Sequence, residues 1–148
     1  MKISSILDLK KITSSIKKIL LPGDVIFLYG QIGVGKTTFV RLLINNYENE
    51  KKLKKSEVLS PTFNILFEYD INNLQIKHYD LYRLKDKKDV NNLGVFENSE
   101  QCVTLIEWPE LIDKKPLNRI DIFFEYSDDM EKRSLNIKST GRLAGYEF

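Results

Sequence analysis

Cysteine and histidine are almost absent from this sequence of 148 residues, which contains one of each. A single cysteine, Cys102, cannot form a disulfide within the chain, and this suits a reducing cytoplasm. Cys102 stands directly before the apolar run 103–106 with no base nearby in the sequence, so we expect a buried structural thiol rather than a nucleophile. His78 has no cysteine or histidine neighbours, which excludes an ordinary zinc site there, and we expect it to be a structural strand residue.

Long apolar runs and a strong net charge are also missing. A membrane span needs about 18 consecutive apolar residues, and no stretch of this sequence comes close to that length. The N-terminus also lacks the apolar segment of a secretory signal. We therefore expect no membrane contact and a cytoplasmic location. Lys and Arg number 23 against 21 Asp and Glu, and the lysines are scattered. Without a basic stripe, a tight direct grip on nucleic acid is not expected.

The composition is that of an ordinary globular domain, with 42% hydrophobic and 30% charged residues. The length is enough for one domain with a real core and leaves little room for a second. We expect residues 1–148 to form a single domain. The tail, residues 140–148, contains two glycines and no periodicity, and we expect it to fray.

The segment Gly30–Thr37 reads G-Q-I-G-V-G-K-T and follows the apolar run Val25–Tyr29. This is the complete pattern G-x-x-x-x-G-K-[ST] of a phosphate-binding loop, and the strand before it and the helical apolar spacing after it are what such a loop requires. A strand that is apolar throughout is typical of a parallel sheet covered on both faces. The pattern predicts a nucleoside triphosphate with Mg²⁺ as the ligand and leaves kinase, GTPase and ATPase activities open.

Each residue type in this loop has a chemical reason. Glycines allow the backbone angles with which successive N–H groups surround an anion, and the start of a helix adds the positive end of its dipole. Lys36 would reach the β- and γ-phosphates as a point charge, and the Thr37 hydroxyl is a hard oxygen ligand for Mg²⁺. The residues expected to contact the nucleotide are Gly30, Gly33, Val34, Gly35, Lys36, Thr37 and Thr38.

Apolar spacing and turn residues predict an α/β fold of the P-loop NTPase type: a central, mostly parallel sheet with an antiparallel hairpin and flanking helices. The loop over 48–57 is polar and Lys-rich, and we expect it to be solvated. The predicted helices run from an N-cap at Asp8 to Leu20, from the P-loop to about Tyr47, over Lys85–Leu93, and through a short turn over Glu110–Asp113. The predicted strands after Val25–Tyr29 are Phe63–Tyr69 and Leu74–Tyr79 around an Asn72-Asn73 turn, then Cys102–Ile106, Arg119–Tyr126 and Lys132–Lys138 around a turn over Ser127–Asp129.

Two acids stand at strand ends, where a P-loop protein needs a carboxylate for Mg²⁺ and for the attacking water. Glu107 closes the run 103–106, which is the place of a Walker B acid, and Asp80 follows the strand that ends at Tyr79. A glutamate reaches further than the more common aspartate and is able to align water as well as bind the ion. Solvated strand-end acids are common on protein surfaces, so the sequence alone leaves both interpretations open.

Three further segments lie behind the P-loop in a fixed order: S-P-T-F at Ser60–Phe63, H-Y-D-L-Y-R-L at His78–Leu84 and E-W-P at Glu107–Pro109. With these motifs in register, the chain resembles the TsaE (YjeE) family of small bacterial P-loop ATPases from about residue 5 to residue 140. No single short motif decides this resemblance, but four in register at this spacing are highly specific.

The resemblance implies a role for each matching residue. Lys36 and Thr37 match the family's phosphate and magnesium residues, Asp80 matches an acid near the magnesium, and Glu107 matches a Walker B-like acid. Trp108 matches a tryptophan beside the nucleotide site, although an aromatic after a strand is also a common core residue. Segment 60–62 matches a switch-like loop, in which Thr62 would sense the γ-phosphate.

The resemblance also implies a function. Family members support the threonylcarbamoyladenosine modification of tRNA, and their ATP hydrolysis lets a complex of TsaB and TsaD turn over. We therefore expect an Mg²⁺-dependent ATPase that is weak alone and faster with TsaB and TsaD. It would meet tRNA only indirectly, through that complex. Glu107 with Asp80 would hold Mg²⁺ and orient the attacking water, and catalysis would consist mainly of positioning and charge neutralisation.

Three alternatives differ in what they demand of the sequence. A small GTPase needs a guanine-reading N-K-x-D segment, which does not occur here. A small-molecule kinase would require an Arg-rich lid, but the sequence has five arginines and none are clustered. A nucleotide-dependent binding module with negligible hydrolysis is the closest rival, because it would share the whole P-loop. Substitution of Glu107 separates it from an ATPase.

Overall fold

The residues that a computed structural model describes, 1–127 and 132–148, form seven strands and three helices, and all of these except the first strand follow one another in the α/β order that the sequence predicts. The strands are β1 (Lys2–Ile3), β2 (Val25–Tyr29), β3 (Leu66–Ile71), β4 (Leu74–Asp80), β5 (Cys102–Glu107), β6 (Arg119–Tyr126) and β7 (Arg133–Thr140). The helices are α1 (Ile6–Ile19), α2 (Lys36–Glu50) and α3 (Lys87–Leu93), with 3₁₀ turns at Ser99–Gln101, Pro109–Leu111 and Gly141–Leu143. The predicted turn over Ser127–Asp129 lies outside the described residues from Asp128 onward.

The strands form one sheet in the order β1-β7-β6-β2-β5-β4-β3. Its four central strands, β6, β2, β5 and β4, are parallel, while β3 adds antiparallel to β4 and β7 antiparallel to β6. The predicted fold class is therefore confirmed. The carboxyl ends of β2, β4 and β5 meet at one edge of the sheet, which is where ligands bind in open α/β folds.

Strand β2 is buried on both faces, as its continuous apolar sequence predicts. Ile26 and Leu28 pack into a larger core beneath α1 and α2, and Val25 and Phe27 pack into a smaller core on the opposite face, which also includes Val90 of α3. The tight packing of the sheet between these two layers gives the residues at its carboxyl edge a rigid support.

Helix α1 begins three residues earlier than the sequence analysis predicts. Ser5 is the N-cap, and its hydroxyl accepts a hydrogen bond from the backbone N–H of Asp8. Asp8 is the acidic partner of this capping box: its carboxylate accepts N–H bonds from Ser4 and Ser5 at 3.1 and 3.0 Å, which hold its pKa below the usual value. The assignment of Asp8 as the N-cap was therefore wrong, because an acid serves equally well one turn into the helix.

The segment 48–57 is not simply the solvated loop that was expected. Helix α2 continues to Glu50, and the Glu48 side chain is buried. Its carboxylate accepts hydrogen bonds from the backbone N–H and hydroxyl of Ser56, which brings the chain back to bury Val58. The lysines between them remain exposed. The error arises because a buried, hydrogen-bonded glutamate has no sequence signature that separates it from a surface one.

The tail also differs from the expected frayed segment. Leu143 is completely buried in the larger core, and the Arg142 guanidinium forms an ion pair with buried Asp24 and donates to the carbonyl oxygen of Ile19. Neither contact has a local pattern in sequence, since both partners lie more than a hundred positions away. Other element ends differ by a few residues, and the two-residue strand β1 at the sheet edge was not predicted.

No helix within the described residues is long and apolar enough to cross a bilayer.

Candidate functional site

The phosphate-binding loop leaves β2 at Gly30 and ends at Gly35, which stands at the N-cap of α2. Both glycines have positive φ, 138° and 119°, and a Cβ at Gly30 would lie 2.6 Å from the carbonyl oxygen of Phe124. Only glycine fits there. Because Gly35 has no side chain to cap the helix, the first-turn N–H groups of α2 stay available to an anion, beside the positive end of its dipole.

Lys36 is a buried ammonium without a carboxylate within ion-pair distance among the described residues. Its Nζ donates to the carbonyl oxygens of Gly30 and Gln31 at 2.5 and 2.9 Å and lies 4.1 Å from the centre of the Trp108 ring. Burial lowers the pKa of Lys36, while the charge of Glu107 opposes that shift. A desolvated cation held at the mouth of an N–H-lined loop is a strong attractor for phosphate.

Glu107, the last residue of β5, lies directly against the start of α2. The Thr37 hydroxyl donates to Glu107 Oε1 at 2.8 Å, and His78 Nε2 contacts the same oxygen at 2.9 Å. His78 is fully buried, and 4% of the Glu107 side chain is exposed. Oε2 has no hydrogen-bond partner among the described residues, so one carboxylate oxygen is held and the other is left for the neighbouring cavity.

Asp80 is the register partner of Glu107 across β4 and β5, so both carboxylates point to the same face of the sheet. Ser60 and Thr62 each donate a hydroxyl hydrogen bond to Asp80 Oδ2 at 2.8 Å, and the backbone N–H of Tyr82 donates to Oδ1 at 3.0 Å. The S-P-T-F segment is therefore tied to the site through Asp80. In the sequence these two motifs are linked only by resemblance.

Trp108 forms one wall of the site. It follows β5 with a φ of 59°, and its backbone N–H donates to the carbonyl oxygen of Leu28. The centre of its ring lies 4.8 Å from the centre of the Tyr82 ring. The half-buried indole belongs to the edge of the smaller core and also carries the Lys36 ammonium on its face. Its position is therefore compatible both with a tryptophan beside a nucleotide site and with an aromatic residue of the core.

These elements enclose a cavity of about 430 Å³. Of the eleven predicted site residues, nine line it, whereas Gly30 and Val34 do not. The Val34 side chain is buried in the larger core and borders a neighbouring pocket under α1. The residues that line the cavity are Ile32, Gly33, Gly35, Lys36, Thr37, Thr38, Ser60, Thr62, Asp80, Tyr82, Glu107 and Trp108.

Four residues at the site were missed or undervalued by sequence reasoning. Ile32, Ser60 and Tyr82 line the cavity, and His78 contacts Glu107 from behind it. The signal for His78 was present, because it stands two positions before Asp80 on one strand and so shares its face. Ser60 and Tyr82 had no signal beyond lying in the motifs.

The donor set of the cavity is suited to Mg²⁺. Thr37, Asp80 and Glu107 supply hydroxyl and carboxylate oxygens, which a hard cation prefers. No cluster of three or more His, Cys, Asp or Glu residues that would bind a metal alone occurs in the part of the chain that the structure describes.

A family model, the threonylcarbamoyl adenosine biosynthesis protein TsaE, matches residues 3–135. The chain belongs to the TsaE family. The match contains every residue that lines the cavity and ends within β7.

TsaE proteins of several bacteria are similar to this chain. The protein of Rickettsia bellii is 36% identical over 131 residues, which cover 88% of each chain. That of Bacillus subtilis is 35% identical over 124 residues, 82% of this chain and 72% of the relative. The protein of Rickettsia felis is 39% identical over 105 residues, 71% of this chain, and the match spans 59% of that relative's length. Each is named a tRNA threonylcarbamoyladenosine biosynthesis protein TsaE.

A crystal structure of Bacillus subtilis YdiB has the same fold. Its TM-score with this chain is 0.73 at 27% sequence identity, and the superposition covers 95% of this chain and 84% of YdiB. The fold that this chain shares with YdiB therefore extends over almost the whole described sheet and its helices.

Proposed function

We propose that this protein is an Mg²⁺-dependent ATPase of the pathway that makes threonylcarbamoyladenosine in tRNA, and that it acts on a complex of TsaB and TsaD. The observation that carries the proposal is the convergence of Lys36, Thr37, Asp80 and Glu107 on one cavity. Family membership connects this cavity to the tRNA modification, since the relatives carry that process in their names.

Phosphate binding is the task of the loop and of Lys36. The N–H groups at the start of α2 would surround the β-phosphate, and the Lys36 ammonium would exchange two carbonyl contacts for phosphate oxygens. That exchange is favourable because a buried cation interacts more strongly with an anion than with neutral carbonyl groups. A triphosphate therefore fits the loop better than an uncharged ligand would.

Thr37, Glu107 and Asp80 would hold Mg²⁺. When bound, the ion neutralises charge on the phosphates during phosphoryl transfer. The Glu107 carboxylate has Oε1 already fixed by Thr37 and His78, so Oε2 is held in one orientation toward the cavity, where it would orient the attacking water. Asp80, which Ser60 and Thr62 hold by hydrogen bonds, would also help to orient the attacking water, from the adjacent strand.

Adenine is proposed as the base because the guanine-reading N-K-x-D segment is absent from the sequence. A protein partner is proposed because large apolar side chains stand exposed around the cavity. Phe63 is 83% exposed, Ile32 is 63% and Tyr82 is 49%, all in or beside segments that line the site. A site whose rim is apolar is suited to being completed by another protein.

The decisive experiment measures ATP hydrolysis by the purified chain with and without Mg²⁺, TsaB, TsaD and tRNA. We expect slow Mg²⁺-dependent hydrolysis by the chain alone and a rise of at least about tenfold with TsaB and TsaD, because a partner would complete the exposed site. GTP should be a poor substitute. Mg²⁺-dependent ATP binding without hydrolysis under every condition would instead identify the protein as a nucleotide-dependent binding module. Transfer of phosphate to a small acceptor would identify a kinase.

A further inference from the structure

His78 is the one histidine of the chain, and it is completely buried beneath the site rather than in it. It does not line the cavity, so it would touch neither nucleotide nor water there. Its Nε2 lies 2.9 Å from Glu107 Oε1, and its Nδ1 has no hydrogen-bond partner among the described residues. Every polar contact recorded for this imidazole is therefore directed at Glu107.

The direction of that hydrogen bond follows from the acceptors. A carboxylate oxygen only accepts, so Nε2 carries the hydrogen and donates it to Oε1. Oε1 also accepts the Thr37 hydroxyl hydrogen at 2.8 Å. Two donors from two different elements, β4 and α2, thus restrain one oxygen of a side chain on β5. A glutamate has three rotatable side-chain bonds, and a single contact would leave its other oxygen free to swing.

A buried imidazole with an unsatisfied Nδ1 destabilises the fold, because burying a polar nitrogen without a partner costs about 1–3 kcal/mol. An apolar side chain of similar size would fill the same space on β4, whose neighbouring inward residue Ile76 is apolar and fully buried. Packing alone therefore does not explain a histidine at this position. The contact with Glu107 does.

We infer that His78 is a positioning residue: it holds Glu107 Oε1 in place so that Oε2 faces the cavity, where it would bind Mg²⁺ and orient the attacking water. This rests on the proposed function of Glu107 and extends it to a residue outside the cavity. Partners that orient the ligands of a metal in this way typically change metal affinity or activity by about 10–100-fold when they are removed.

The experiment compares two variants of the full chain. His78→Leu keeps the volume and removes the donor, and His78→Gln keeps an N–H donor near the position of Nε2. We expect His78→Leu to raise the Mg²⁺ concentration for half-maximal activity and lower kcat by about tenfold or more, with ATP affinity in EDTA unchanged. His78→Gln should recover most of both. Thr104→Val, another buried polar-to-apolar change on the opposite face of the sheet, should alter neither.

A double-mutant cycle separates positioning from a general structural role. If His78 acts through Glu107, then His78→Leu should have no further effect on Mg²⁺ dependence in a Glu107→Ala background. Thermal melting of each variant confirms that the chain is folded. Equal losses in both backgrounds, or a His78→Gln variant as impaired as His78→Leu while still folded, would overturn the inference.

The inference and the proposed function fail in different ways. The Mg²⁺ concentration that half-saturates binding of a fluorescent ATP analogue is measured beside hydrolysis, so a chain that hydrolyses nothing still reports on His78. Wild-type binding that depends on Mg²⁺, with the same dependence in His78→Leu, would refute the inference and leave the nucleotide site intact. Wild-type protein that binds no ATP would refute both.

Discussion

Asp80 and Glu107 are direct register partners at the carboxyl ends of adjacent parallel strands, although they lie 27 positions apart in the sequence. Their carboxylates point to the same face of the sheet and line the same cavity as Lys36. Each is restrained by hydroxyl groups from a different segment, Asp80 by Ser60 and Thr62 and Glu107 by Thr37. The proposed ATPase therefore depends on two acids whose orientations are set independently.

Replacement of Glu107 by Ala tests the proposed role of this acid. We expect ATP still to bind, since the loop and Lys36 are unchanged, and turnover with TsaB and TsaD to fall by about 10²–10³-fold, as when a single charge-stabilising group is removed. Steady-state hydrolysis and binding of a fluorescent ATP analogue measure the two effects. Glu110→Ala, an exposed acid three positions along, is the matched control. Unchanged turnover in Glu107→Ala would remove this residue from the mechanism.

Replacement of Lys36 by Ala tests the phosphate site. Loss of one charge-assisted contact of about 1.5–3 kcal/mol corresponds to ATP binding weaker by about 10–100-fold, and hydrolysis should disappear. In cells that lack the native gene, this variant should not restore tRNA modification. Lys115→Ala removes another lysine that lies over an aromatic ring, that of Tyr29, but does not border the cavity, and it should bind ATP normally. Full rescue by Lys36→Ala would show that nucleotide is dispensable.

Alanine at two glycines of the P-loop should separate folding from binding. Gly30→Ala places a Cβ 2.6 Å from the Phe124 carbonyl oxygen at a φ of 138°, and we expect a loss of about 3 kcal/mol of unfolding free energy. A Cβ at Gly35 would have no atom within 4 Å outside its own residue and its two chain neighbours. Gly35→Ala should therefore lower the free energy of unfolding by only about 1–2 kcal/mol, which is the cost of its positive φ. Its ATP affinity should nevertheless fall, because Gly35 lines the cavity. Equal melting temperatures for the two variants would contradict this prediction.

Truncation of Leu143 tests whether the tail belongs to the core. Leu143 is fully buried in the larger core, so replacing it by Ala should lower the free energy of unfolding by about 2–5 kcal/mol. Chemical denaturation measures the difference, with Tyr146→Ala, which removes a side chain that is 48% exposed, as the control. If both substitutions have equally small effects, then residues 141–143 do not stabilise the fold in solution.

The parts of the fold that could be predicted from sequence are those with a local physical cause. The apolar run Val25–Tyr29, the loop Gly30–Thr37 and the Asn72-Asn73 turn lie where periodicity and turn chemistry predict them. Asp8 was misassigned because an acid satisfies the same backbone N–H groups from either end of a capping box. Glu48 was wrongly predicted to lie in a solvated loop. Its carboxylate is buried because it accepts a hydrogen bond from the Ser56 N–H, a contact that forms only once the chain has turned back toward α2.

The sequence by itself determined the phosphate-binding loop, the order along the chain of every strand and helix except β1, and the two acids at strand ends, because spacing within a few residues dictates each of these. Only the tertiary structure decided that Oε1 of Glu107 is shared by Thr37 and His78, that Asp80 is held by Ser60 and Thr62, and that Leu143 completes the core. These contacts join segments far apart in the chain. They arise from strand register and helix packing, which no local pattern specifies.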